Sequence, residues 1–172
     1  MSTKAVRVFG LAGWSGSGKT TLVERLLPEL TGRGLSVSTV KHAHHSFDVD
    51  RPGKDSWRHR EAGASEVMIA SERRWVLTHE HRGAPEPPLE ALLRQMSPVD
   101  LVLVEGFKRG THAKLEVHRP SLGKPLLCRD DPYVVAVASD APIAGLPVPL
   151  FALDDVAAIA RFILAQCRLE AA

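Results

Sequence analysis

The sequence predicts a three-layer α/β fold with a mostly parallel central sheet and a small β-hairpin insertion. Short apolar runs alternate with helical patterns, a glycine-rich loop follows the first run, and two β-type segments lie close together near the middle. Strands that alternate with helices pair in parallel, because each connection crosses over the sheet. We expect one domain over residues 1–172, with the hairpin insertion or edge feature at residues 64–82.

Charge and cysteine content narrow the class of protein. Lys and Arg number 22 against 20 Asp and Glu, so the charge gives no support for a nucleic-acid partner. Cys128 and Cys167 are far apart and form no C-x-x-C pair, which disfavours a disulfide framework or a cysteine zinc site. There is neither a membrane-length apolar run nor a signal-peptide core, so we expect a cytoplasmic protein without membrane association.

The glycine-rich loop fits the phosphate-binding pattern G-x-x-x-x-G-K-[ST]. Its residues are Gly13, Trp14, Ser15, Gly16, Ser17, Gly18, Lys19 and Thr20. The apolar run from Val6 to Leu11 precedes it, and a helical pattern from Lys19 to Thr31 follows it. Strand, loop and helix in this order predict the P-loop NTPase fold, and a single P-loop nucleotide-binding domain.

The chemistry of this loop requires its glycines. They allow backbone conformations in which successive N–H groups point at an anion, and the following helix contributes its positive end. We expect Lys19 to reach the β- and γ-phosphates and the Thr20 hydroxyl to bind Mg²⁺. The predicted nucleotide contacts comprise residues 13–20 together with Thr21.

A polar segment, residues 41–56, follows the second predicted strand, Leu35 to Val40, and we expect it beside the phosphate site. Asp48 or Asp50 could hold Mg²⁺, or the segment is a solvated loop with no ligand. It also contains His42, His44 and His45. Without partnering cysteines, these histidines favour a charged or hydrogen-bonded face over a transition-metal site.

The middle of the chain contains shorter elements. Pro28 predicts a bend in the first helix or a shorter one. A helix from Trp57 to about Ala62, capped by Asp55 or Ser56, carries Arg58 and Arg60, which bind a second phosphorylated ligand or are solvated. The remaining predictions are a hairpin at one sheet edge, Glu66 to Ala70 with Arg74 to Thr78, and a helix from Leu89 to Met96.

Two acidic residues end predicted buried strands. Glu105 comes at the end of the run Val99 to Gly106, where nucleotide-binding proteins place a carboxylate that orients Mg²⁺ or water; the alternative is a structural acid. Asp140 follows the strand Tyr133 to Ala138 and either reads the guanine N1 and N2 edge or caps a turn. The other predicted elements are strands Ala113 to His118 and Val148 to Phe151, an extended piece Pro125 to Cys128, and a last helix Val156 to about Leu169, opened by Asp154 or Asp155.

Together these residues resemble the MobB family of molybdopterin-guanine dinucleotide biosynthesis adaptors. The resemblance covers most of the chain to about Asp140 and rests on the motifs Gly13 to Thr20, Lys41-His42, Phe47-Asp48-Val49-Asp50, Gly53-Lys54-Asp55-Ser56 with Arg58, Ala62-Gly63-Ala64 and Glu105-Gly106-Phe107-Lys108. The phosphate loop is shared with many unrelated NTPases. The run H-x-F-D-x-D-x-x-G-K-D-S and the strand end E-G-F-K are more particular.

The resemblance implies a GTP-binding protein that hydrolyses GTP slowly and helps to attach GMP to molybdopterin. It implies a homodimer that associates with the molybdenum cofactor guanylyltransferase, and with molybdopterin or other cofactor-maturation proteins. Carried over to this chain, the catalytic residues are Lys19, Glu105 and Asp48, and the Mg²⁺ ligands are Thr20, Asp48, Asp50 and Glu105. The sequence lacks the standard guanine motif N-K-x-D, so Asp140 is the single candidate for recognition of the guanine base.

Two other classes of protein remain open. A P-loop kinase for a small molecule would hold its acceptor against residues 42–60 and transfer the γ-phosphate to it. A metal-delivery GTPase would use the three histidines to carry nickel or a similar ion, although paired cysteines are missing.

Overall fold

The computed structural model describes residues 6–43, 47–108 and 110–169. The chain divides into two compact units. The core unit comprises residues 1–42 and 96–172, and the inserted unit comprises residues 43–95.

The described residues form eight strands and four α-helices. In chain order these are β1 (Arg7–Ala12), α1 (Lys19–Thr31), β2 (Val37–Lys41), α2 (Asp55–Glu61), β3 (Glu66–Ala70), β4 (Trp75–His79), α3 (Leu89–Leu93), β5 (Leu101–Glu105), β6 (Lys114–His118), β7 (Val134–Ser139), β8 (Leu150–Ala152) and α4 (Val156–Cys167). Most predicted strands are found within about two residues of their predicted ends.

The core unit contains a six-stranded sheet in the order β2-β5-β1-β6-β7-β8. All of its pairings are parallel, which confirms the predicted α/β class. β1 lies between β5 and β6, so its C-terminal end is flanked by the C-terminal ends of both neighbours. The loop that follows β1 therefore starts at the middle of one sheet edge.

The helices α1 and α4 pack on this sheet through apolar side chains. Leu26 and Leu30 of α1 and Ile159 and Ile163 of α4 are fully buried in one cluster with Phe9 of β1. The bounds of α1 agree with the prediction, and the helix continues for one turn beyond Pro28. The predicted shortening at Pro28 does not occur. The helix ends at Thr31, and the N–H of the next residue, Gly32, donates to the Pro28 carbonyl over 2.9 Å.

The start of α4 was predicted correctly. Asp155 is its N-cap, and its carboxylate accepts a hydrogen bond from the Ala158 N–H over 3.0 Å. Both cysteines are free thiols, as expected, and both are buried. Burial raises the pKa of the Cys167 thiol to about 11 and also raises that of Cys128, where the nearby carboxylate of Glu116 adds to the effect. Both thiols are therefore protonated near neutral pH.

The inserted unit contains the predicted hairpin. β3 and β4 pair antiparallel, with Glu66 opposite His79. The two strands form a sheet of their own, so the predicted position at the edge of the main sheet is wrong. The predicted cap of α2 is also wrong: Lys54 occupies the N-cap and its side chain makes no capping hydrogen bond. The Ser56 hydroxyl donates instead to Asp50 over 2.6 Å.

Strand β6 buries polar side chains inside the core unit. Lys114 and Glu116 are both 0% exposed, and the next inward residue, His118, is also buried. The two carboxylate oxygens of Glu116 accept hydrogen bonds from the backbone N–H groups of Leu127 and Cys128, each over 2.9 Å. These bonds hold a short 3₁₀ turn over Leu127–Arg129, where the sequence predicted an extended piece.

We predict that Glu116→Ala destabilises the protein by about 2–4 kcal/mol, because one buried and one partly buried N–H group lose their acceptor. Glu116→Gln keeps one acceptor oxygen and should cost about half as much. Equilibrium unfolding in urea measures both, with Glu24→Ala on the exposed face of α1 as the matched control. Equal stability of Glu116→Ala and the wild type would contradict this assignment.

Candidate functional site

The loop between β1 and α1 has the conformation that its glycines predict. Gly13, Gly16 and Gly18 have φ angles of +145°, +79° and +100°, a region that side chains with a Cβ rarely adopt. At Gly13 space is restricted as well, since a Cβ would lie 2.4 Å from the Val117 carbonyl oxygen and 2.8 Å from the Ser17 hydroxyl. The positive φ angles, and at Gly13 the close packing against β6, therefore require glycine at these positions.

Lys19 begins α1 and turns its side chain back over the loop. Its ammonium donates to the carbonyl oxygens of Gly13 and Trp14, over 3.1 and 2.9 Å. Burial lowers the pKa of this ammonium; Glu105 counteracts the shift, while Lys108 and Lys41 add to it. A partly buried cation with two like charges nearby is stabilised by an anion, which is what the loop is predicted to bind.

The structure brings together two of the predicted Mg²⁺ ligands. The Thr20 hydroxyl donates to Glu105 over 2.8 Å. Glu105 is the last residue of β5 and pairs with Leu11, so the sheet register sets it beside the loop. The Lys41 ammonium lies 3.6 Å from the same carboxylate oxygen and 3.5 Å from the Thr20 oxygen. Sequence reasoning named Lys41 in a family motif but gave it no role in the site, although it ends β2 at this same edge.

A hydroxyl and a carboxylate are the hard oxygen ligands that Mg²⁺ prefers, so this pair fits the ion. Within the described ranges no group of three or more His, Cys, Asp or Glu residues is placed to hold a metal. Mg²⁺ at Thr20 and Glu105 would therefore complete its coordination with phosphate oxygens and water, as it does in many nucleotide sites.

The other residues of the loop differ in their surroundings. Ser17 is buried, and its hydroxyl has no hydrogen-bond partner among the residues that the structure describes. The Trp14 indole N–H donates to the Pro125 carbonyl over 2.8 Å. Ser15 and Thr21 are exposed. The buried orphan hydroxyl of Ser17 is a polar atom that a bound ligand could satisfy.

Asp140, the candidate for guanine recognition, forms an ion pair. Its carboxylate accepts a hydrogen bond from Arg119 over 2.6 Å, and the same guanidinium donates to the Ser17 carbonyl of the loop over 3.0 Å. Arg119 follows directly after β6, so it belongs to the same sheet edge as the loop. Sequence reasoning missed Arg119, and its position after a buried strand was the available signal.

In the inserted unit, Asp48 and Asp50 take part in a local network of ion pairs. The Arg60 guanidinium lies 2.7 Å from an oxygen of Asp48, 3.8 Å from Asp50 and 3.4 Å from Glu80. The Arg60 side chain is only 12% exposed. It is thus occupied by three carboxylates, which argues against the predicted role for Arg60 in binding a second phosphorylated ligand. The metal-binding roles of Asp48 and Asp50 stay predictions.

The histidine cluster lies partly outside the described residues, which omit His44 and His45. The His42 ring packs against Phe107, with 4.5 Å between ring centroids. Phe107 follows Gly106 just after β5, so this contact links the end of β2 to the end of β5, the strand that Glu105 ends. His42 thus has a packing role in the core unit.

We predict a low pKa for Asp48. The hydrogen bond from Arg60 holds the pKa of this carboxyl below its usual range, and the backbone N–H of Asp50 adds to the effect. Because the folded pKa is depressed, the pair stabilises the protein above the unfolded pKa, about 3.9. This contribution is lost as the pH falls through the folded value.

Carboxyl resonances followed by NMR against pH should show this low pKa in the wild type and a return toward the ordinary value in Arg60→Gln. Arg51→Gln, an exposed arginine of the same unit, is the control. An Asp48 pKa that is the same in Arg60→Gln and the wild type would rule out the pairing.

A parallel sheet with a G-x-x-x-x-G-K-T loop between its central strand and the next helix defines the class of P-loop NTPase folds. Comparison with known proteins identifies the family within this class. The family model for MobB, described as "Molybdopterin guanine dinucleotide synthesis protein B", matches residues 8–140. The chain belongs to the MobB family.

Individual relatives agree with this assignment. A "Molybdopterin-guanine dinucleotide biosynthesis adapter protein" of Escherichia coli (strain K12) is 43% identical over 162 residues, 92% of each chain. The protein of the same name from Haemophilus influenzae is 44% identical over 161 residues, covering 92% of this chain and 88% of that one. A crystal structure of molybdopterin-guanine biosynthesis protein B superposes with a TM-score of 0.71 at 30% identity, covering 92% of this chain and 98% of the other.

The structural likeness confirms the predicted fold class. In the part of the chain that the structure describes, no helix has both the length and the apolar character needed to cross a membrane.

Proposed function

We propose that this protein is a GTP-binding adaptor that hydrolyses GTP slowly and assists the conversion of molybdopterin to its guanine dinucleotide form. The observation that carries the proposal is the loop of residues 13–20, with its three glycines at positive φ and Lys19 folded over it. The relatives from Escherichia coli and Haemophilus influenzae, named as adapter proteins of this biosynthesis, support the assignment of the pathway.

Each loop residue has a proposed part in holding the nucleotide. The backbone N–H groups of residues 13–20 bind the phosphates, and Lys19 exchanges its two carbonyl partners for phosphate oxygens. Thr20 and Glu105 hold Mg²⁺, which when bound neutralises phosphate charge. Asp48 and Asp50 remain proposed as further acids for the metal, with Asp48 as a proposed catalytic residue. Trp14, Ser15, Ser17 and Thr21 complete the proposed contacts.

Base recognition is proposed for Asp140. An ionised carboxylate accepts hydrogen bonds from both the N1–H and the N2 amino group of guanine, whereas adenine offers no such pair of donors. Arg119 supports this role, because its hydrogen bonds to Asp140 and to the Ser17 carbonyl connect the acid to the phosphate loop.

The proposed slow hydrolysis is supported by the contacts that Glu105 and Arg119 already make. Glu105 already accepts a hydrogen bond from the Thr20 hydroxyl and lies 3.6 Å from Lys41, so it is arranged to hold or orient a ligand rather than to remove a proton from water. Arg119 is held by Ser17 and Asp140, away from the role of an arginine that stabilises phosphoryl transfer. P-loop proteins that lack both a general base and an arginine at the transferred phosphate hydrolyse the nucleotide slowly.

The proposed partners are the molybdenum cofactor guanylyltransferase, with molybdopterin or other maturation proteins, and a second copy of this chain. The hairpin of the inserted unit supports a protein contact, because Met68 and Trp75 are 61% and 62% exposed. Exposed apolar side chains that lie together favour association. The cytoplasm is the proposed place of action.

The first test is equilibrium binding of GTP with Mg²⁺ to the wild type and to Lys19→Ala. Loss of a charged hydrogen-bond donor should weaken binding about tenfold to a hundredfold, equivalent to roughly 1.5–3 kcal/mol. Arg161→Ala, an exposed cation on α4, is the matched control and should bind like the wild type. Unchanged GTP affinity in Lys19→Ala would refute the phosphate-loop role.

The second test addresses the base. Asp140→Asn should weaken GTP binding about tenfold or more, because an amide cannot accept both hydrogen bonds from guanine. It should strengthen binding of xanthosine triphosphate, whose oxygen at C2 can accept from the new amide. ATP serves as the control nucleotide, with weak binding to both forms. Equal affinity of the wild type for GTP and ATP would remove the guanine assignment.

A further inference from the structure

Two segments of the core unit each bring a lysine to the ring of Trp14. The Lys108 ammonium lies 4.4 Å from the ring centroid and the Lys124 ammonium lies 5.8 Å from it. The indole N–H in turn donates to the carbonyl of Pro125, the residue after Lys124. The phosphate-loop pattern does not specify the residue at position 14, so this arrangement is an addition to the loop.

The position of Lys108 is held by a buried cation. The Lys114 ammonium, fully buried, donates to the carbonyl oxygens of Lys108 and Gly110, over 3.0 and 2.6 Å, and to Asp131 over 2.9 Å. Burying a charge is costly unless its hydrogen bonds are made, and here three are. The backbone at Lys108 and Gly110 is therefore held in place by hydrogen bonds from the core.

The backbone before Lys108 is also strained. Gly106 and Phe107 have φ angles of +97° and +46°, and a positive φ is unfavourable for a residue such as Phe. A backbone of this kind persists when the surrounding structure requires it, and such positions concentrate at functional sites. The strained turn leads from Glu105, which contacts Thr20, directly to Lys108.

The charge around Trp14 is unbalanced. Lys108 and Lys41 both act on the pKa of Lys19, so three ammonium groups lie near one another, with Glu105 as the opposing acid. That acid is already shared by Thr20 and Lys41. In the described part of the chain, no carboxylate lies within ion-pair distance of Lys108 or Lys124. Among the residues that the structure describes, the two cations on the indole ring thus have no carboxylate paired with them.

We propose that Trp14, Lys108 and Lys124 form a second anion subsite, which takes the phosphate of a phosphomonoester ligand while the loop of residues 13–20 holds the nucleotide. This inference rests on the proposed function, because it places a second phosphorylated ligand beside bound GTP. A phosphate dianion matches two ammonium groups, and each contact is charge-assisted. Lys108 also lines a cleft of about 350 Å³, but Asp130 and Asp131 line the same cleft and their negative charge disfavours an anion there.

Trp14 provides the reporter for the test. The chain has three tryptophans, so Trp57→Phe with Trp75→Phe leaves Trp14 as the single emitter. The probe is inorganic phosphate, titrated into this protein after saturation with a non-hydrolysable GTP analogue and Mg²⁺. Phosphate bound by the two lysines draws the ammonium groups from the ring and should change the indole emission in a saturable way.

Lys108→Gln with Lys124→Gln in the same background should weaken phosphate binding at least tenfold, while affinity for the GTP analogue changes less than threefold. The matched control is Arg33→Gln with Arg161→Gln, which removes the same charge from the region after α1 and from α4. It should leave both affinities unchanged. Isothermal titration calorimetry checks each dissociation constant independently of fluorescence.

Three results would overturn the second subsite. One is a phosphate signal that disappears once the GTP analogue is bound, since the lysines would then serve the triphosphate itself. Another is equal phosphate affinity in the lysine double variant and its control. The third is loss of the phosphate signal in Lys19→Ala, because the proposed subsite does not need that residue. In each case the wild type still binds the GTP analogue, whereas failure of the wild type to bind it would refute the proposed function.

Discussion

The parallel pairing of β1 with β5 on one side and β6 on the other is the constraint on which the site depends. Because parallel strands end at the same edge of a sheet, this pairing sets Glu105 beside the loop on one side and Arg119 beside it on the other. Each then contacts the loop region: Glu105 accepts from Thr20, and Arg119 donates to the Ser17 carbonyl. A shift of either neighbour by one residue would turn these side chains to the opposite face.

Buried polar side chains of β6 hold two loops of the core unit in place. Lys114 organises the turn that presents Lys108, and Glu116 organises the 3₁₀ turn at Leu127–Arg129. Both side chains make several hydrogen bonds to backbone, which compensates the cost of burying their charge. The polar interior of this strand therefore shapes two loops, while the apolar residues between them fill the core.

The features predicted well were those in which local chemistry leaves few alternatives. The loop glycines adopt positive φ, Lys19 begins α1, and Asp155 caps α4, because each depends on residues next to one another in sequence. The predictions that were wrong depended on partners that the local pattern does not specify. Ser56 bonds to Asp50, within the same loop, instead of capping α2, and the piece after Pro125 turns because Glu116 supplies acceptors from a strand.

The sequence by itself determined the phosphate loop, the parallel α/β class and the family resemblance, since all three are written in short patterns and their spacing. The tertiary structure decided which charges meet. It joined Arg119 to Asp140, and it brought Lys108 and Lys124 to Trp14 from separate segments. The physical reason is that ion pairs and cation–π contacts depend on distances in space of a few ångströms, and residues far apart in sequence acquire such distances only through sheet order and strand register.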